Sequence, residues 1–358
     1  MRILILPCND GNTYQPPLVF ELTKLGVSID EYNDLINLFP IYRSWRGGKR
    51  KPDIVNLHWI QFYLLSYTAL RTIVKSVLFL LDLAYAKLKN IRIVWTIHNA
   101  VSHESNYPGL ELFFNNLICL FCDEYIVQSQ SIKNEISLKY RTIINKSKIK
   151  VIPRGNYIDL YQNTIAKIEA RRYLNLGLKD IVFISFGKIR PYKGIDQLID
   201  AWELFQAEMN RDDIKLIIVG HPHNDHVEKE ILRKCTHSKN VIPILRYIND
   251  EEIQIYMNAA DICLFTFTAI LGSASVVAAM SYKKAVIAPN MGGIPDLIDE
   301  NGGLIYRAND RNDLLQALKK SIRLDYEKMG EHNYEIIKNN TWQKTAIKQY
   351  EIFSKLIN

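Results

Sequence analysis

Phe183-Ile184-Ser185-Phe186-Gly187-Lys188-Ile189-Arg190-Pro191-Tyr192-Lys193-Gly194 decides how the rest of this 358-residue chain is read. An apolar run stops at Gly187, a loop with three cations in six positions follows, and a helical pattern opens near Gly194. Fixed cations and a helix N-terminus put positive potential on one point, which suits a diphosphate. The charges alone would suit a solvated basic loop equally well. Gly187 and Gly194 at its two ends favour the tight backbone of an anion site. A second stretch has the same form. Thr268-Ala269-Ile270-Leu271-Gly272-Ser273-Ala274-Ser275 leads from a strand through small residues into a helix. The N–H groups and hydroxyls over 272–275 make an anion cradle, or an ordinary serine N-cap of the same geometry.

Outward from these loops, short β-branched runs alternate with longer helical patterns. In the second half, strands are expected at 181–186, 215–219, 241–245, 262–267 and 285–288. Helices are expected at 194–209, 227–234, 250–259 and 275–281, with helical patterns from 288 to the end. In the first half, strands at 3–6, 54–58, 91–97, 124–128 and 149–152 alternate with helices at 17–25, 62–88, 110–122 and 132–139. Residues 159–175 read as a helical linker. This alternation is the signature of doubly wound parallel sheets, and its restart after a seam near 155–178 gives two of them. The expected fold is therefore α/β, with two Rossmann-like domains, 1–155 and 156–341, facing across a cleft. The amphipathic C-terminal helix 342–358 is expected to return to the first. Ligands of such sheets bind beyond the carboxyl ends of the strands, and a cleft between two of them is the default site.

Composition agrees. With 48% hydrophobic and 23% charged residues the chain is globular, and its length suits two domains. Five cysteines, an odd number, do not make a disulfide framework and favour a reducing compartment. Cys119 and Cys122, inside an apolar run, read as buried helix residues and not as half of a zinc site. The opening Met-Arg-Ile-Leu-Ile-Leu-Pro reads as a strand and not as a signal peptide. No uncharged apolar run of about 18 residues is present to span a membrane. The net charge of +7 is mild. The basic run at 43–51 (Arg43, Arg46, Lys49, Arg50 and Lys51 around Tyr42 and Trp45) is too short for a nucleic-acid module, and no nucleic-acid partner is expected.

In the first half, Val94-Trp95-Thr96-Ile97-His98-Asn99 ends a strand at His98, so the imidazole is expected to point into the cleft. Most lone histidines are structural, but the carboxyl end of a strand is where ligands gather. His103 and Glu104, in the following loop, stand where they can support it. His58-Trp59 ends the second strand on the same side. Asp10-Gly11-Asn12-Thr13-Tyr14-Gln15 is a polar loop at the mouth of the first sheet. It lacks G-x-G-x-x-G, which argues against an NAD enzyme.

At these residues the chain resembles glycosyltransferases of the GT-B fold, above all the bacterial family 4 type, over nearly its whole length. Gly187-Lys188-Ile189 with Lys193-Gly194 resembles the family's G-R-L-x-x-x-K-G, whose Arg and Lys hold the donor diphosphate. The resemblance gives that role to Lys188 and Lys193, although Lys188 lacks the bidentate fork of an arginine. Ala259-Ala260-Asp261, Ala279-Met280-Ser281, Gly292-Gly293-Ile294-Pro295-Asp296 and Gly302-Gly303-Leu304 resemble further landmarks. His98-Asn99 matches the family's His near the transferred sugar. Val151-Ile152-Pro153-Arg154-Gly155-Asn156 resembles the close of the first domain, with Arg154 where His is common. The implied catalytic group is His98, Lys188 and Lys193. Implied donor contacts are Gly187, Arg190, Tyr247, Ile248, Thr268, Gly272, Ser273, Ala274 and Ser275. Implied acceptor contacts are Asn12, Tyr14, His58, Trp59, Asn99 and His103. One departure stands out. The family usually carries two Glu eight positions apart, one for the sugar and one for the ribose, and here those positions are Ile270 and Ala278. The loop is similar instead to that of capsule and exopolysaccharide transferases with a Ser-Gly-Ser-like sequence.

The reaction so implied moves a sugar from a nucleotide-diphosphate sugar, UDP or GDP, to a hydroxyl of a lipid-linked or oligosaccharide acceptor in surface-polysaccharide synthesis. Lys188, Lys193 and the 272–275 amides would stabilise the leaving diphosphate in place of a metal. No D-x-D stands at a strand end, so neither metal nor cofactor is expected. The basic run at 43–51 and the apolar helices 62–88 and 110–121 suit a cytoplasmic protein lying on the anionic inner face of the cell membrane. They also suit buried core helices beside a solvated loop. Two other readings stay open. One is a degenerate, non-catalytic binding partner, because of the missing Glu pair. The other is a GT-B nucleotide-sugar epimerase, which needs acidic groups that the sequence does not place.

Overall fold

The computed structural model describes residues 1–8, 12–32, 38–47, 50–103, 105–140 and 144–357. Asp10, Gly11, Lys49 and Glu104 lie outside the described residues. The chain divides into two compact units, Met1–Gly155 with Asn340–Asn358, and Asn156–Asn339.

The first unit runs β1 (Arg2–Leu6), α1 (Gln15–Lys24), β2 (Ser28–Glu31), α2 (Pro40–Trp45), β3 (Ile54–Leu57), α3 (Gln61–Leu64), α4 (Ala69–Leu88), β4 (Arg92–Thr96), α5 (Pro108–Cys119), β5 (Glu124–Val127), α6 (Gln130–Lys139) and β6 (Ile149–Val151). Among the described residues its strands form one parallel sheet ordered β2-β1-β3-β4-β5-β6. Parallel strands covered on both faces are nearly continuous apolar runs, and Ile3 to Leu6 and Ile54 to Leu57 are buried at every position, the one polar residue there, Asn56, accepting from Thr96 Oγ1 at 3.0 Å.

The second unit runs α7 (Lys167–Tyr173), β7 (Ile181–Phe186), α8 (Ile195–Met209), β8 (Ile214–Val219), α9 (Asp225–Cys235), β9 (Val241–Ile244), α10 (Ile253–Ala259), β10 (Ile262–Leu264), α11 (Ala274–Ser281), β11 (Ala285–Pro289), β12 (Gly303–Tyr306), α12 (Arg311–Ser321) and α13 (Tyr326–Ile337). Its parallel sheet is ordered β12-β11-β10-β7-β8-β9. Polar side chains start several of these helices by accepting an N–H three residues on: Asn224 for α9, Asp310 for α12 and Asp325 for α13.

The last helix, α14 (Trp342–Ile357), belongs to the first unit. Its Trp342, Ala346 and Phe353 pack with Leu18 and Leu22 of α1 onto Ile3, Ile5, Ile54, Val94 and Ile126 of the sheet. Each fully buried Leu, Ile, Val or Phe among them contributes about 1.5–3 kcal/mol.

Several local expectations change. The helix expected at 62–88 is two helices. Thr68, in extended backbone, accepts the Arg71 N–H at 3.3 Å and starts α4 afresh, while the apolar pattern runs unbroken through the gap. The linker at 159–175 is helical only over α7, and the N–H groups of Thr164 and Ile165 bond instead to Gln254 Oε1. Strands β2 and β12 and helix α2 were not foreseen. β2 is a half-exposed edge strand carrying two acids, held by an Arg2–Asp30 ion pair at 2.5 Å. β12 interrupts what reads as helix after 288.

Candidate active site

In the second unit, β7 ends at Phe186 and the chain turns at Gly187 with φ +113°. A Cβ on Gly187 would stand 3.4 Å from Ser275 Oγ and 3.5 Å from Lys193 Nζ, so the bare Cα keeps open the point where those groups meet. Gly194, with φ +65°, leads the loop into α8, and a Cβ there would strike the Thr266 carbonyl. Thr266 Oγ1 donates to the carbonyls of Lys193 (2.9 Å) and Gly194 (3.0 Å). Thr268 donates through its N–H to the Tyr192 carbonyl (2.9 Å) and through its hydroxyl to the same oxygen (3.4 Å). These bonds clamp the cationic loop to the segment after β10.

The clamp places Lys193 Nζ 3.0 Å from Ser275 Oγ, to which it donates, and 4.8 Å from the centroid of the Phe267 ring. Burial lowers its pKa to about 8. Ser273 is the N-cap of α11, and its Oγ accepts the Val276 N–H at 3.2 Å. Among the described residues, the N–H groups over 272–275 make no hydrogen bond. An ammonium, a hydroxyl and free amides thus converge at the start of an apolar helix, which is a site for anionic oxygens.

The other donor candidates are placed differently. Lys188 is exposed, with no hydrogen-bond or ion-pair partner among the described residues. The Arg190 guanidinium donates to His223 Nδ1 in the loop after β8. Tyr247 is exposed and Ile248 packs against the core, both after β9. Gly272 and Ala274 are half-buried on either side of the cap. Ala278 is a core residue and Ile270 is a partly buried one packed against that core, so the positions of the family's Glu pair are apolar.

In the first unit, residues just past three adjacent strands line up. His58 follows β3, His98 stands two residues past the end of β4 rather than at it, and Gln128 follows β5. His98 Nε2 lies 2.9 Å from His58 Nδ1, and His98 Nδ1 lies 3.2 Å from Gln128 Nε2. With the Gln128 amide as donor, His98 carries its proton on Nε2 and gives it to His58; the tautomer follows from that assignment. The Trp59 ring stacks on His98 at 4.1 Å, and Tyr14 meets it edge-on at 4.8 Å. Arg154 lies over Tyr14 at 5.6 Å, Trp342 meets the same ring at 5.3 Å, and Gln349 donates to the Tyr14 hydroxyl at 3.1 Å.

Burial pulls the His58 pKa down to about 3. Burial, then His58 and Arg154, hold His98 well below the usual histidine range. Burial pushes Tyr14 up to about 12. All three are neutral near pH 7, and His98, partly exposed, has both ring nitrogens engaged within the protein.

Asn12 Oδ1 accepts the N–H groups of Tyr14 (2.9 Å) and Gln15 (2.7 Å) and shapes the entry to α1. Asn99 and His103 lie half-buried between β4 and α5. Sequence reasoning missed Gln128, Trp342 and Gln349. It noted Arg154 only as a departure. Gln128 carried the same signal as His98, a polar residue at the carboxyl end of a strand.

Both clusters stand where the strand order of their sheet reverses. Tyr14 follows β1 and His58 follows β3, which are neighbours. Lys193 follows β7 and Ser275 follows β10, also neighbours. These are the topological switch points at which doubly wound sheets bind ligands.

Comparison with known proteins bears on the fold and the family. Residues 166–341 match the family described as glycosyl transferases group 1, and residues 7–159 match Glycosyltransferase Family 4. A GDP-mannose:glycolipid 4-beta-D-mannosyltransferase of Xanthomonas campestris pv. campestris is 22% identical over 76% of this chain and 72% of its own length. A D-inositol 3-phosphate glycosyltransferase of Corynebacterium glutamicum is 26% identical over 59% of this chain and 52% of its own length. Among solved structures, Anabaena HepE in complex with UDP and glucose has the same fold, with a TM-score of 0.73 at 18% identity over 99% of this chain and 100% of that one. Sucrose-phosphate synthase from Thermosynechococcus elongatus has it too, with a TM-score of 0.76 at 17% identity over 99% and 98%. With the group 1 match on its second unit and the family 4 match on its first, the chain belongs to the GT-B glycosyltransferases.

Proposed function

We propose that this glycosyltransferase moves a hexosyl group from a UDP- or GDP-sugar to a hydroxyl of a lipid-linked glycan in capsule or exopolysaccharide synthesis, from the cytoplasmic side of the cell membrane. The observation that carries the reading is the Lys193 ammonium, desolvated and held 3.0 Å from Ser275 Oγ beside the open Cα of Gly187. When the sugar–phosphate bond breaks, negative charge grows on the diphosphate. A preformed cation and unpaired N–H groups at that point stabilise it without reorganising. Lys188, with no partner among the described residues, is available as the second cation. This is charge compensation by side chains and amides, so the step is proposed to need no metal.

The first unit is assigned the acceptor. Neutral His98, walled by Trp59 and Tyr14, offers a sugar an aromatic face and one exchangeable hydrogen bond, that of Gln128. The lipid-linked acceptor and the nucleotide choice are supported by the relatives' names, a glycolipid mannosyltransferase using GDP-mannose and a protein crystallised with UDP and glucose.

A thermal-shift screen of the protein against UDP-, GDP- and dTDP-sugars tests the reading. One class is expected to raise the melting temperature, and Lys193→Ala is expected to abolish the shift. No shift with any of them, or an equal shift in the variant, overturns the diphosphate assignment. Nucleotide-sugar binding with no nucleoside diphosphate released in the presence of any glycolipid acceptor would favour a non-catalytic partner.

A further inference from the structure

Helix α4 leaves an apolar stripe uncovered. Leu70, Ile73, Val74, Val77, Leu81 and Leu88 are all exposed and recur at three- and four-residue steps, which is one helix face. Thr72, Ser76, Phe79, Asp82, Leu83 and Ala86 are buried on the opposite face. The neighbouring α5, packed beside α4, exposes Phe113, Leu120 just after it is exposed too, and Tyr67, just before α4, is 89% exposed. Surface this apolar on adjoining elements is more than scattered exposure accounts for. The stripe does not span a membrane, since no described helix is long and apolar enough.

Charge says what covers it. Among the described residues between 61 and 123, every acid is withdrawn from the surface or neutralised. Asp82 is fully buried and accepts the N–H groups of Ile41 (2.6 Å) and Tyr42 (3.0 Å). Glu111 is buried and accepts the Ser102 N–H at 2.8 Å. Asp123 is ion-paired with Lys87 and Arg92. Cations remain. Arg71 is exposed on α4, and the described part of the basic segment, 42–47 with 50–51, meets the helix's second half. Trp45 stacks on Tyr85 at 6.0 Å, Tyr42 meets it at 5.5 Å, and Lys51 Nζ donates to the Lys89 carbonyl. Arg43, Arg46 and Arg50 on that segment are exposed. A protein partner's helix would need only the apolar stripe. An apolar stripe flanked by cations, with no exposed acid, matches a bilayer surface with anionic headgroups.

We infer that the α4–α5 face, rimmed by Arg43, Arg46, Arg50 and Arg71, docks this enzyme flat on an anionic lipid bilayer, with the α4 stripe in the headgroup–acyl boundary. This deepens the lipid-linked acceptor reading and rests on it for its purpose, since docking brings the first unit to the layer that holds such an acceptor.

The test is co-flotation of the full chain with phosphatidylcholine vesicles, with and without phosphatidylglycerol, alongside analytical ultracentrifugation. The wild type is expected to float only with phosphatidylglycerol, and less at high salt. Val77→Asp with Leu81→Asp, both already solvent-facing, is expected to lose flotation at an unchanged melting temperature. Arg43→Ala with Arg46→Ala is expected to weaken binding about fivefold per charge removed. Flotation that persists in the Val77/Leu81 variant, or no flotation of the wild type, overturns the inference. So does a wild-type dimer that this variant dissolves, which would give the face to a second copy. Nucleotide-sugar binding is read separately by thermal shift. A chain that floats but binds no nucleotide sugar refutes the catalytic reading and leaves the docking face standing.

Discussion

Replacing Lys193 by Met should make the protein more stable and nearly inactive. Burial takes the Lys193 pKa from 10.5 to about 8. At about 1.4 kcal/mol per pH unit, holding that ammonium out of water costs roughly 3 kcal/mol at neutral pH. Met fills similar space without the charge but forfeits the bond to Ser275, a charge-assisted one of about 1.5–3 kcal/mol. The balance is a gain of about 1 kcal/mol at pH 7, read from urea unfolding midpoints. The pH dependence checks the cause. The folded pKa lies below the unfolded value, so between pH 8 and 10.5 the unfolded chain binds more protons and the wild type gains stability as pH rises. The wild type regains roughly 3 kcal/mol over that window, so the variant's advantage of about 1 kcal/mol should close and then reverse. Turnover should fall about 10²–10³-fold, the usual loss when a preorganised group facing developing negative charge is removed. Turnover within about threefold of wild type would refute the diphosphate grip, and a gap that does not change between pH 8 and 10.5 would refute the buried-charge argument.

Gly194→Ala should lose at least about 2 kcal/mol, because it combines a left-handed backbone with a Cβ driven into the Thr266 carbonyl; urea unfolding at neutral pH measures it. Acid should destabilise the first unit through its histidines. With His58 folded at about 3 against an ordinary 6.5, the unfolded chain binds more protons in that window, so stability falls as pH drops from 6.5 towards 3, by at most about 1.4 kcal/mol per pH unit for each histidine. His58→Gln should flatten that slope, and an unchanged slope would mean that His58 does not titrate as argued. Gly155→Ala should push a Cβ into the Trp342 indole and loosen α14 from Tyr14, which limited proteolysis would detect as faster cleavage within 340–358.

Strands that are buried on both faces were the most legible part of the chain, because parallel packing favours apolar residues at nearly every position and leaves a nearly continuous run in the sequence. β2 was illegible for the opposite reason. Ser28-Ile29-Asp30-Glu31 is an edge strand with one apolar residue, and its register comes from the Arg2–Asp30 pair and not from its own pattern. The break before α4 was hidden because the apolar spacing continues through it, while the local event, a threonine cap at Thr68, is a single hydroxyl. At the candidate site, the sequence could name His58, Trp59, His98 and Tyr14 one at a time as strand-end residues. It could not bring them together, since that depends on β3 lying between β1 and β4.

The same dependence explains why the location of the anion site was more legible than its selectivity. A switch point is a property of connectivity. Once β10 lies beside β7, the loop after each must meet, and glycines that remove Cβ atoms, a lysine and a serine suffice to mark the place. Which sugar sits there depends on the groups that line the rest of the pocket. In this chain the two positions where the family offers carboxylates are Ile270, packed against the apolar core, and Ala278, within it. A buried apolar side chain cannot take over a hydroxyl's hydrogen bond, so any hydroxyl once met by those carboxylates must find its partner elsewhere or stay in water. The unpaired N–H groups over 272–275 are donors of the right kind, but on the proposed diphosphate reading they serve the phosphates. On that reading Gly187, Lys193 and Ser275 mark the leaving group, and nothing in their spacing selects the sugar, which is left to be found by binding.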